Sequence, residues 1–353
     1  MPRVSPASLR GFLFEEVLAF LIRRSGYSLL VSESQDPEAL ASRGNGLVVK
    51  GRGGDHQVDV LGELDWIPAF TFPLRLFLEA KFRGERTGIP TVRNAIGVLI
   101  DVNQRYTRTS AGPLLRRYRY AYALFSASGF SPQAVKMALA HEISLVDLSG
   151  RDYLPIREAI SSSADDLLME PVPDHASVEE VDLGDAPFVS SVRALLREEL
   201  GTNPLGPQPL DESVLGLRAK LAGVIQAAKE VGDLFVGMAA GPYMLMMTAT
   251  NRRAFLERMN QDPTLKVSIR WSLDSEGGRK WVIKPTEPQT RFELSFSIPG
   301  DIGDWIFSEE GGSTVKAMRF KHELLPHIFI PFKDDNGTNH LYRLDYSETS
   351  SAE

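Results

Sequence analysis

Apolar residues recur at helical spacing near the beginning of the sequence, in the segment LRGFLFEEVLAFLIRR (residues 9–24). Phe14, Val17 and Leu21 fall on one face of the helix that this spacing predicts. Gly26 follows the apolar pattern, and glycine readily takes the left-handed conformation that ends many helices. We therefore predict an amphipathic first helix that ends at Gly26.

Apolar runs of other lengths predict the elements that follow in the first half of the chain. The segment LRLFLEAKFRGER (residues 74–86) begins as a core strand, and an earlier strand leaves a glycine-rich turn ending in DHQVDVLGEL. Further strands are predicted at residues 27–34, 118–128 and 143–148, and helices at residues 91–106 and 132–142. A strand, a helix and a strand of these lengths predict parallel pairing through a right-handed crossover. Residues 1–155 are therefore expected to form one α/β domain.

The second half of the chain has a different composition. Residues 158–192 contain nine acidic residues and no Lys or Arg, so an acidic linker is expected over residues 156–190. Residues 191–353 are expected to form a separate C-terminal α+β domain. Its predicted helices lie near residues 190–200 and 211–231, and its predicted strands include KVSIRWS, KWVIKPT, FELSFSI, HIFIPF and HLYRLDY.

Composition excludes several classes of site. The sequence has no cysteine, which excludes disulfides, thiolate zinc sites and cysteine nucleophiles. Its first residues lack the apolar region of a signal peptide. The uncharged run at residues 234–251 contains GMAAGP and is interpreted as buried loop and strand, not as a membrane span. A cytoplasmic protein without a membrane partner is expected.

The net charge of −7 hides a basic region in the first half. Residues 81–119 contain nine basic and two acidic residues, an excess that suits a phosphate-facing surface. A basic surface that is merely solvated remains the alternative. The residues predicted to contact phosphate are Arg83, Arg86, Arg93, Arg105, Arg108, Arg116, Arg117, Arg119, Ser126 and Ser128.

Charged residues on the apolar strand pattern mark a candidate site. Glu79 and Lys81 share one face of their strand, and Asp59 lies on the preceding strand, so the carboxylates can converge if the strands are neighbours. Two buried like charges are costly, and a divalent cation resolves that cost. Mg²⁺, with Mn²⁺ able to substitute, would bind Asp59, Glu79 and the Ala80 carbonyl. Lys81 would orient or deprotonate the attacking water, and Gln57 on the Asp59 face would hydrogen-bond that water or a phosphate.

The pattern of Asp59, a spacer and Glu79-Ala80-Lys81 resembles the PD-(D/E)xK nuclease superfamily, in its Mrr-like restriction endonuclease branch. GFLFEEVLAFLIRRSGY resembles the family's opening helix, which assigns the family's helical glutamate to Glu15, at the apolar edge of that helix. Glu16, one residue on, faces elsewhere and is expected to be solvated. ALFSASGFSPQAVKMALAHEISLVDLSG resembles its closing strand–helix–strand unit. The resemblance covers residues 9–155 and implies a restriction-endonuclease-like core, a mixed central sheet flanked by helices. Val58 stands where the family name has proline.

The resemblance and the basic region together predict a metal-dependent endodeoxyribonuclease, active in restriction or anti-phage defence. Cutting both strands needs two sites, so a homodimer or higher oligomer on DNA is expected. Alternatives are a DNA-binding or sensor protein with an accessory or inactive nuclease fold, and a ribonuclease that uses the same site. The C-terminal domain would then target, sense or regulate, through a ligand or a partner protein. A structural ion pair between Glu79 and Lys81 is the non-catalytic interpretation.

Overall fold

A mixed sheet of five strands forms the centre of the first half of the chain. The structure is a computed structural model that describes residues 4–44, 46–66, 72–105, 118–168, 187–206, 210, 212–240, 244–273, 279–298 and 313–347. In spatial order the strands are β1 (Tyr27–Leu30), β5 (Val60–Leu64), β6 (Leu74–Lys81), β7 (Arg119–Ser126) and β8 (Ile143–Asp147). The pairs among β1, β5 and β6 are antiparallel, whereas β6, β7 and β8 run parallel.

Helices cover both faces of this sheet. Helix α1 (Pro6–Arg24) packs on the face formed by Leu76 and Leu78, and Gly26 after it takes the predicted left-handed conformation at φ +80°. Helices α2 (Ile89–Gln104) and α3 (Pro132–Ala140) cover the opposite face. The crossover predicted around α3 is present, since β7 and β8 are parallel and Ser131 caps the helix between them.

A second, smaller sheet interrupts the expected strand before β6. It comprises β2 (Leu40–Arg43), β3 (Gly46–Lys50) and β4 (Asp55–Val58), paired antiparallel. The sequence predicted one strand from the glycine-rich turn onward, but that segment divides at Asp59. Residues before Asp59 belong to the small sheet and residues after it belong to the main sheet. Asp59 therefore lies where the chain passes from one sheet to the other.

The expected acidic linker is wrong for its first part. Helix α4 (Leu154–Leu168) continues from a short 3-10 turn and buries Ile156, Ile160, Ala164 and Leu167 in the α1 core. Residues 169–186, the rest of that prediction, lie outside the described residues. The local sequence was acidic, but its apolar residues recur at helical spacing and supply enough buried surface to order it.

The predicted boundary near residue 190 also differs from the packing. Helices α5 (Pro187–Glu199) and α7 (Arg218–Val231), with the short α6 (Glu212–Leu215) between them, pack on the α1 side of the first sheet. Buried residues of α5 and α7 share one apolar core with α1 and α4. The segment assigned to a separate C-terminal domain therefore begins with helices that complete the first core.

The rest of the chain forms a closed barrel of seven strands. In barrel order these are β10 (Met244–Ala249), β13 (Leu294–Phe296), β12 (Arg279–Pro285), β11 (Thr264–Leu273), β15 (Asn339–Tyr346), β14 (His327–Lys333) and β9 (Phe235–Met238). Helices α8 (Arg252–Gln261) and α9 (Ser313–Leu324) accompany it. Trp281, Phe255 and Phe296 lie fully buried in its core. The predicted strands are present, while their closure was not predicted.

Polar contacts join the barrel to the first sheet. Lys333 Nζ lies 2.6 Å from Asp65 Oδ2, at the end of β5, and Arg24 at the end of α1 pairs with Asp335. Among the described helices, none is long and apolar enough to cross a membrane.

Candidate active site

Asp59 is hydrogen-bonded to β6, the strand that carries Glu79, Ala80 and Lys81. Its Oδ2 accepts a hydrogen bond of 2.8 Å from the Ala80 backbone N–H, and Val60 pairs with Leu78 in the β5–β6 register. Burial raises the pKa of Asp59, and the Glu79 carboxylate adds to that rise, while the Ala80 hydrogen bond and Lys81 oppose it. Asp59 and Glu79 are thus close enough to interact electrostatically, as the sequence predicted.

Glu79 is held on both of its oxygens. Lys81 Nζ lies 2.5 Å from Oε1, and the Tyr122 hydroxyl donates a 2.6 Å hydrogen bond to Oε2. The Tyr122 ring stacks on Phe77 with centroids 4.8 Å apart, so the hydroxyl is fixed in direction. Burial, followed by the nearby Glu79 charge, raises the pKa of Tyr122. Tyr122 therefore remains a neutral donor to Glu79 at neutral pH.

Two arginines of α5 pair with the consecutive glutamates of α1. Arg193 Nη2 donates a hydrogen bond to Glu15 Oε2. Arg197 donates two hydrogen bonds to Glu16, from Nε to Oε2 at 3.0 Å and from Nη2 to Oε1 at 2.9 Å. Glu16 was expected to be solvated, and that expectation is wrong, because only 3% of its side chain is exposed. A charge this deeply buried requires a bidentate partner to offset its lost hydration.

Glu15 belongs to the same electrostatic cluster as Asp59. Burial raises the pKa of Glu15 to about 8, with Arg193 opposing the rise and the charges of Asp59 and Glu16 adding to it. The sequence placed Glu15 at the apolar edge of α1, and the structure places it beside the site. Its immediate partner is a guanidinium supplied from the second half of the chain.

An open cleft of about 470 Å³ is lined by Asp59, Glu15 and Glu16, whereas Glu79 and Lys81 are not among its lining residues. Helix α1 forms one wall, the β3–β4 region another, and α5 with the segment after it a third. Gln57 lines the cleft together with Asp59, as expected from their shared face. Arg43 also lines it and pairs with Asp55 at 2.7 Å. The cleft thus exposes the Asp59 side of the site to a ligand from outside.

The glycine-rich turn before β4 wraps around a carboxylate of α2. Asp101 Oδ1 accepts from the Gly53 N–H at 2.7 Å, and Oδ2 accepts from the Gly54 N–H at 3.1 Å. His56 Nε2 lies 2.8 Å from the same Oδ2. A Cβ at Gly51 would stand 2.0 Å from Asp101 Oδ2, so the close approach requires glycine there. This turn fixes β4, and with it Gln57 and Asp59, against the main sheet.

The predicted phosphate contacts divide into separate locations. Arg83 and Arg86 are exposed on the loop that follows β6, and Arg93 is exposed in the first turns of α2 beyond that loop. Arg119 begins β7, whose parallel register with β6 places it about 23 Å along the sheet from Lys81. Arg119 therefore lies apart from the exposed arginines near Lys81, and its contact with a DNA phosphate stays a prediction. Arg116 and Arg117, like Arg108, lie outside the described residues.

The two predicted serines hydrogen-bond to the loops that follow β6 and β7. The Ser126 side chain is fully buried, where its hydroxyl donates to the Gly129 carbonyl and lies 2.9 Å from the Thr87 hydroxyl. Ser126 is therefore structural in this arrangement, contrary to the prediction. Ser128 donates to the Glu85 carbonyl and is half-buried, so its phosphate contact stays a prediction. A strand-end serine can satisfy a loop backbone as readily as a ligand, and sequence alone does not distinguish these uses.

The donor atoms at Asp59 and Glu79 suit a hard divalent cation. Mg²⁺ is commonly held by one or two carboxylates, with waters and phosphate oxygens completing its octahedron. Ala80, the predicted third ligand, lies between Glu79 and Lys81 and holds Asp59 through its N–H. Within the described residues, no group of three or more His, Cys, Asp or Glu side chains is arranged to hold a metal ion. Asp59 and Glu79 thus supply two carboxylates for a metal, fewer than a closed protein cage would need.

Sequence reasoning missed Tyr122, Arg193 and Arg197. The two arginines lie four residues apart, so a helix places them on one side, and the adjacent Glu15 and Glu16 occupy an otherwise apolar helix. Buried carboxylates require counter-charges, and that requirement was the available signal. Pairing positions about 180 residues apart nevertheless needs the tertiary structure.

Comparison with known proteins adds little. No family model matches the sequence, and no curated protein matches it. A solved structure, the crystal structure of the protein of unknown function AF1548, is 15% identical, with a TM-score of 0.31. The alignment covers 62% of this chain and 98% of that chain.

Proposed function

We propose that this protein is a metal-dependent endonuclease that hydrolyses DNA phosphodiester bonds at Asp59, Glu79 and Lys81. The observation that supports it most is the convergence of Asp59 with the E-x-K strand, fixed by the hydrogen bond from the Ala80 N–H. If Glu79 and Lys81 formed only a structural ion pair, the Asp59 carboxylate would not be needed beside them. The restriction-endonuclease-like classification of the sheet is part of this proposal.

Each residue has a distinct part in the proposed reaction. Asp59 and Glu79 hold the metal with the Ala80 carbonyl, and the metal supplies a Lewis acid and a polarised water when bound. The Lys81 ammonium orients the attacking water and stabilises negative charge on the phosphate as the new P–O bond forms and the old one breaks. Gln57, which lines the cleft beside Asp59, donates a hydrogen bond to the water or to a phosphate oxygen. Tyr122 keeps Glu79 in place through its hydroxyl.

DNA is the proposed substrate because of the exposed arginines beyond the E-x-K strand. Arg83, Arg86 and Arg93 lie on the loop and helix that follow Lys81, where they can contact phosphates without reading sequence. A homodimer or higher oligomer for double-strand cleavage, a cytoplasmic location and a role in restriction or anti-phage defence belong to the same proposal. The barrel would target or regulate cleavage through a ligand or a partner protein.

A second candidate is a DNA-binding or sensor protein with an inactive nuclease fold. The carboxylates already have partners within the chain, since Lys81 pairs with Glu79 and Arg193 pairs with Glu15. In this alternative the ion pairs are the final state of the site and no metal replaces them.

Cleavage assays distinguish the two candidates. Purified protein is incubated with supercoiled plasmid, linear duplex, single-stranded DNA and RNA of one sequence, with Mg²⁺ or Mn²⁺. The nuclease proposal expects metal-dependent DNA cleavage that Asp59→Ala and Lys81→Ala abolish. Lys136→Ala, on the exposed surface of α3, is the matched control and should retain activity. Binding without cleavage by every variant would favour the sensor, and preferential RNA cleavage would make the protein a ribonuclease.

A further inference from the structure

Helix α5 brings a basic side chain into the cleft beside the proposed metal site. Resting on the proposed function, we propose that Arg193 contacts the substrate phosphate next to Asp59. Glu15 is then a positioning residue that holds the Arg193 guanidinium in the cleft, and it is not a metal ligand. This role extends the site beyond residues 9–155, to which the sequence resemblance was confined.

Helix α5 is a fixed part of the site. Three of its apolar side chains, those of Val192, Leu195 and Leu196, each expose 1% or less of their surface, within the core shared with α1 and α7. Removing this helix from α1 would expose all three side chains to water, at a cost of about 1.5–3 kcal/mol for each. Helix α5 is therefore not built as a lid, and Arg193 remains at the cleft in the presence or absence of substrate.

Arg193 has N–H donors that the chain does not use. A guanidinium has five N–H donors. Within the described structure, Arg193 donates through Nη2 to Glu15, while its Nε lies 3.7 Å from Glu16, makes no hydrogen bond and is buried. Glu16 does not require Arg193, because Arg197 already donates to both of its oxygens. The donors left for an oxyanion are therefore those on the two Nη atoms, since the buried Nε does not reach a ligand in the cleft.

The Arg193 guanidinium acts on the Asp59 end of the cleft. Its charge reaches Asp59, whose pKa it helps to lower against the dominant effect of burial. Phe12 supports the guanidinium, with the Cζ atom 4.7 Å from the ring centroid. Glu15 on one side and the Phe12 ring below therefore restrict the guanidinium to the Asp59 end of the cleft. A phosphate oxygen held beside Asp59 would meet its unused donors.

The cleft also has a polar group that the chain itself does not satisfy. The Thr202 hydroxyl is 2% exposed and, among the described residues, has no hydrogen-bond partner. Thr202 follows α5 and lines the same cleft as Arg193 and Asp59. A buried hydroxyl without a partner is costly. The Thr202 oxygen itself is buried, so it is not a contact for a ligand in the cleft, and the proposal rests on Arg193.

The test separates DNA binding from metal binding in the full-length protein. A fluorescein-labelled duplex is titrated by anisotropy, with Ca²⁺ replacing Mg²⁺ and at several salt concentrations, and Mn²⁺ is titrated calorimetrically without DNA. Arg193→Gln is expected to weaken DNA binding about tenfold and to reduce the salt slope by about one. Its Mn²⁺ affinity should change less than about threefold. Glu15→Ala should give the same pattern, and Arg193→Lys should recover part of the DNA affinity.

Arg10→Gln is the matched control, because it removes an arginine of α1 that pairs with the exposed Asp165 at the surface. It should leave the salt slope unchanged, and thermal melts establish that each variant is folded. Unchanged DNA binding by Arg193→Gln would overturn the proposal. So would higher Mn²⁺ affinity and faster cleavage, which would make Arg193 an inhibitory plug. Loss of Mn²⁺ binding in Glu15→Ala would make Glu15 a ligand.

The two proposals fail in different ways. If the wild-type protein binds neither Mn²⁺ nor DNA, the proposed function fails and the role of Arg193 fails with it. If the wild-type protein binds and cleaves DNA, Asp59→Ala abolishes cleavage, and Arg193→Gln behaves as wild type, only the role of Arg193 fails. Should Arg193→Gln prove unfolded, the loss of DNA affinity in Arg193→Lys relative to wild type decides the question.

Discussion

The Ala80 backbone N–H donates a 2.8 Å hydrogen bond to Asp59 Oδ2, which joins the turn between two sheets to the strand of Glu79 and Lys81. Sequence patterns placed each residue on a strand, but they did not predict the hydrogen bond between them. This bond defines the geometry of the candidate site, because it brings an acidic residue from a sheet junction to the C-terminal end of a different strand. The remaining site residues are positioned around that junction.

Tyr122→Phe tests the support of Glu79. The substitution removes the hydroxyl that donates to Glu79 Oε2 and keeps the ring that stacks on Phe77. We expect stability to fall by about 1 kcal/mol, the net value of one hydrogen bond. Metal affinity or cleavage rate should fall about tenfold or more, as for other residues that orient a ligand. Urea unfolding and metal titration measure the two effects, and an unchanged metal affinity would show that Glu79 needs no orientation.

Arg197→Ala should be strongly destabilising through Glu16. The variant leaves a carboxylate with a 3% exposed side chain without its bidentate partner. Breaking a buried pair in this way costs about 3–5 kcal/mol, and Glu16→Gln in the same chain should recover part of that loss. Arg10→Ala is the control, because Arg10 pairs with the exposed Asp165 at the surface and should cost less than about 1 kcal/mol. Equal effects of the two variants in urea unfolding would contradict this account.

Gly51→Ala tests the turn that positions β4. The added methyl group would meet Asp101 Oδ2 at 2.0 Å and the Gly54 carbonyl oxygen at 2.6 Å. The turn must open, and a loss of about 1–3 kcal/mol is expected, as for other overpacked sites. Gly84→Ala has open space around the new methyl and should change stability by less than about 1 kcal/mol. Thermal unfolding of the pair compares them directly, and a neutral Gly51→Ala would show that the turn is not packed on Asp101.

Truncation tests where the first folding unit ends. Residues 1–233 keep α4, α5 and α7 on α1, so this fragment should unfold cooperatively. Residues 1–168 lose the α5 and α7 surfaces that bury α1 and should not give a cooperative transition. Circular dichroism during thermal unfolding of both fragments measures this. A cooperative transition in residues 1–168 would restore the domain boundary expected from composition.

Local patterns predicted the elements whose partners are near in sequence. Periodicity, the Ser131 cap and crossover rules were enough to predict five consecutive elements, namely β6, α2, β7, α3 and β8. Each of these elements packs on its neighbours in the chain. The break at Asp59 was missed because β4 and β5 continue one apolar pattern while they pair in different sheets. Composition suggested a linker where α4 lies. That prediction failed because the apolar residues of α4 recur at helical spacing and are buried by α1 and α7, despite the acidic content of the segment. Barrel closure and the Arg193–Glu15 pair depend on long-range contacts that no local pattern encodes.

The most direct test of the central claim is calorimetric titration of Mn²⁺ into wild-type protein, Asp59→Asn and Asp166→Asn. Asp59→Asn keeps the shape and an oxygen that can accept from the Ala80 N–H, while it removes the buried charge. Because burial raises the Asp59 pKa, its ionised form opposes folding at neutral pH, and the asparagine variant should be equally or more stable. The account predicts Mn²⁺ binding by wild type and by Asp166→Asn, whose aspartate is exposed on α4, and binding at least about tenfold weaker in Asp59→Asn. Equal Mn²⁺ affinity in all three proteins, or none in the wild type, would contradict it.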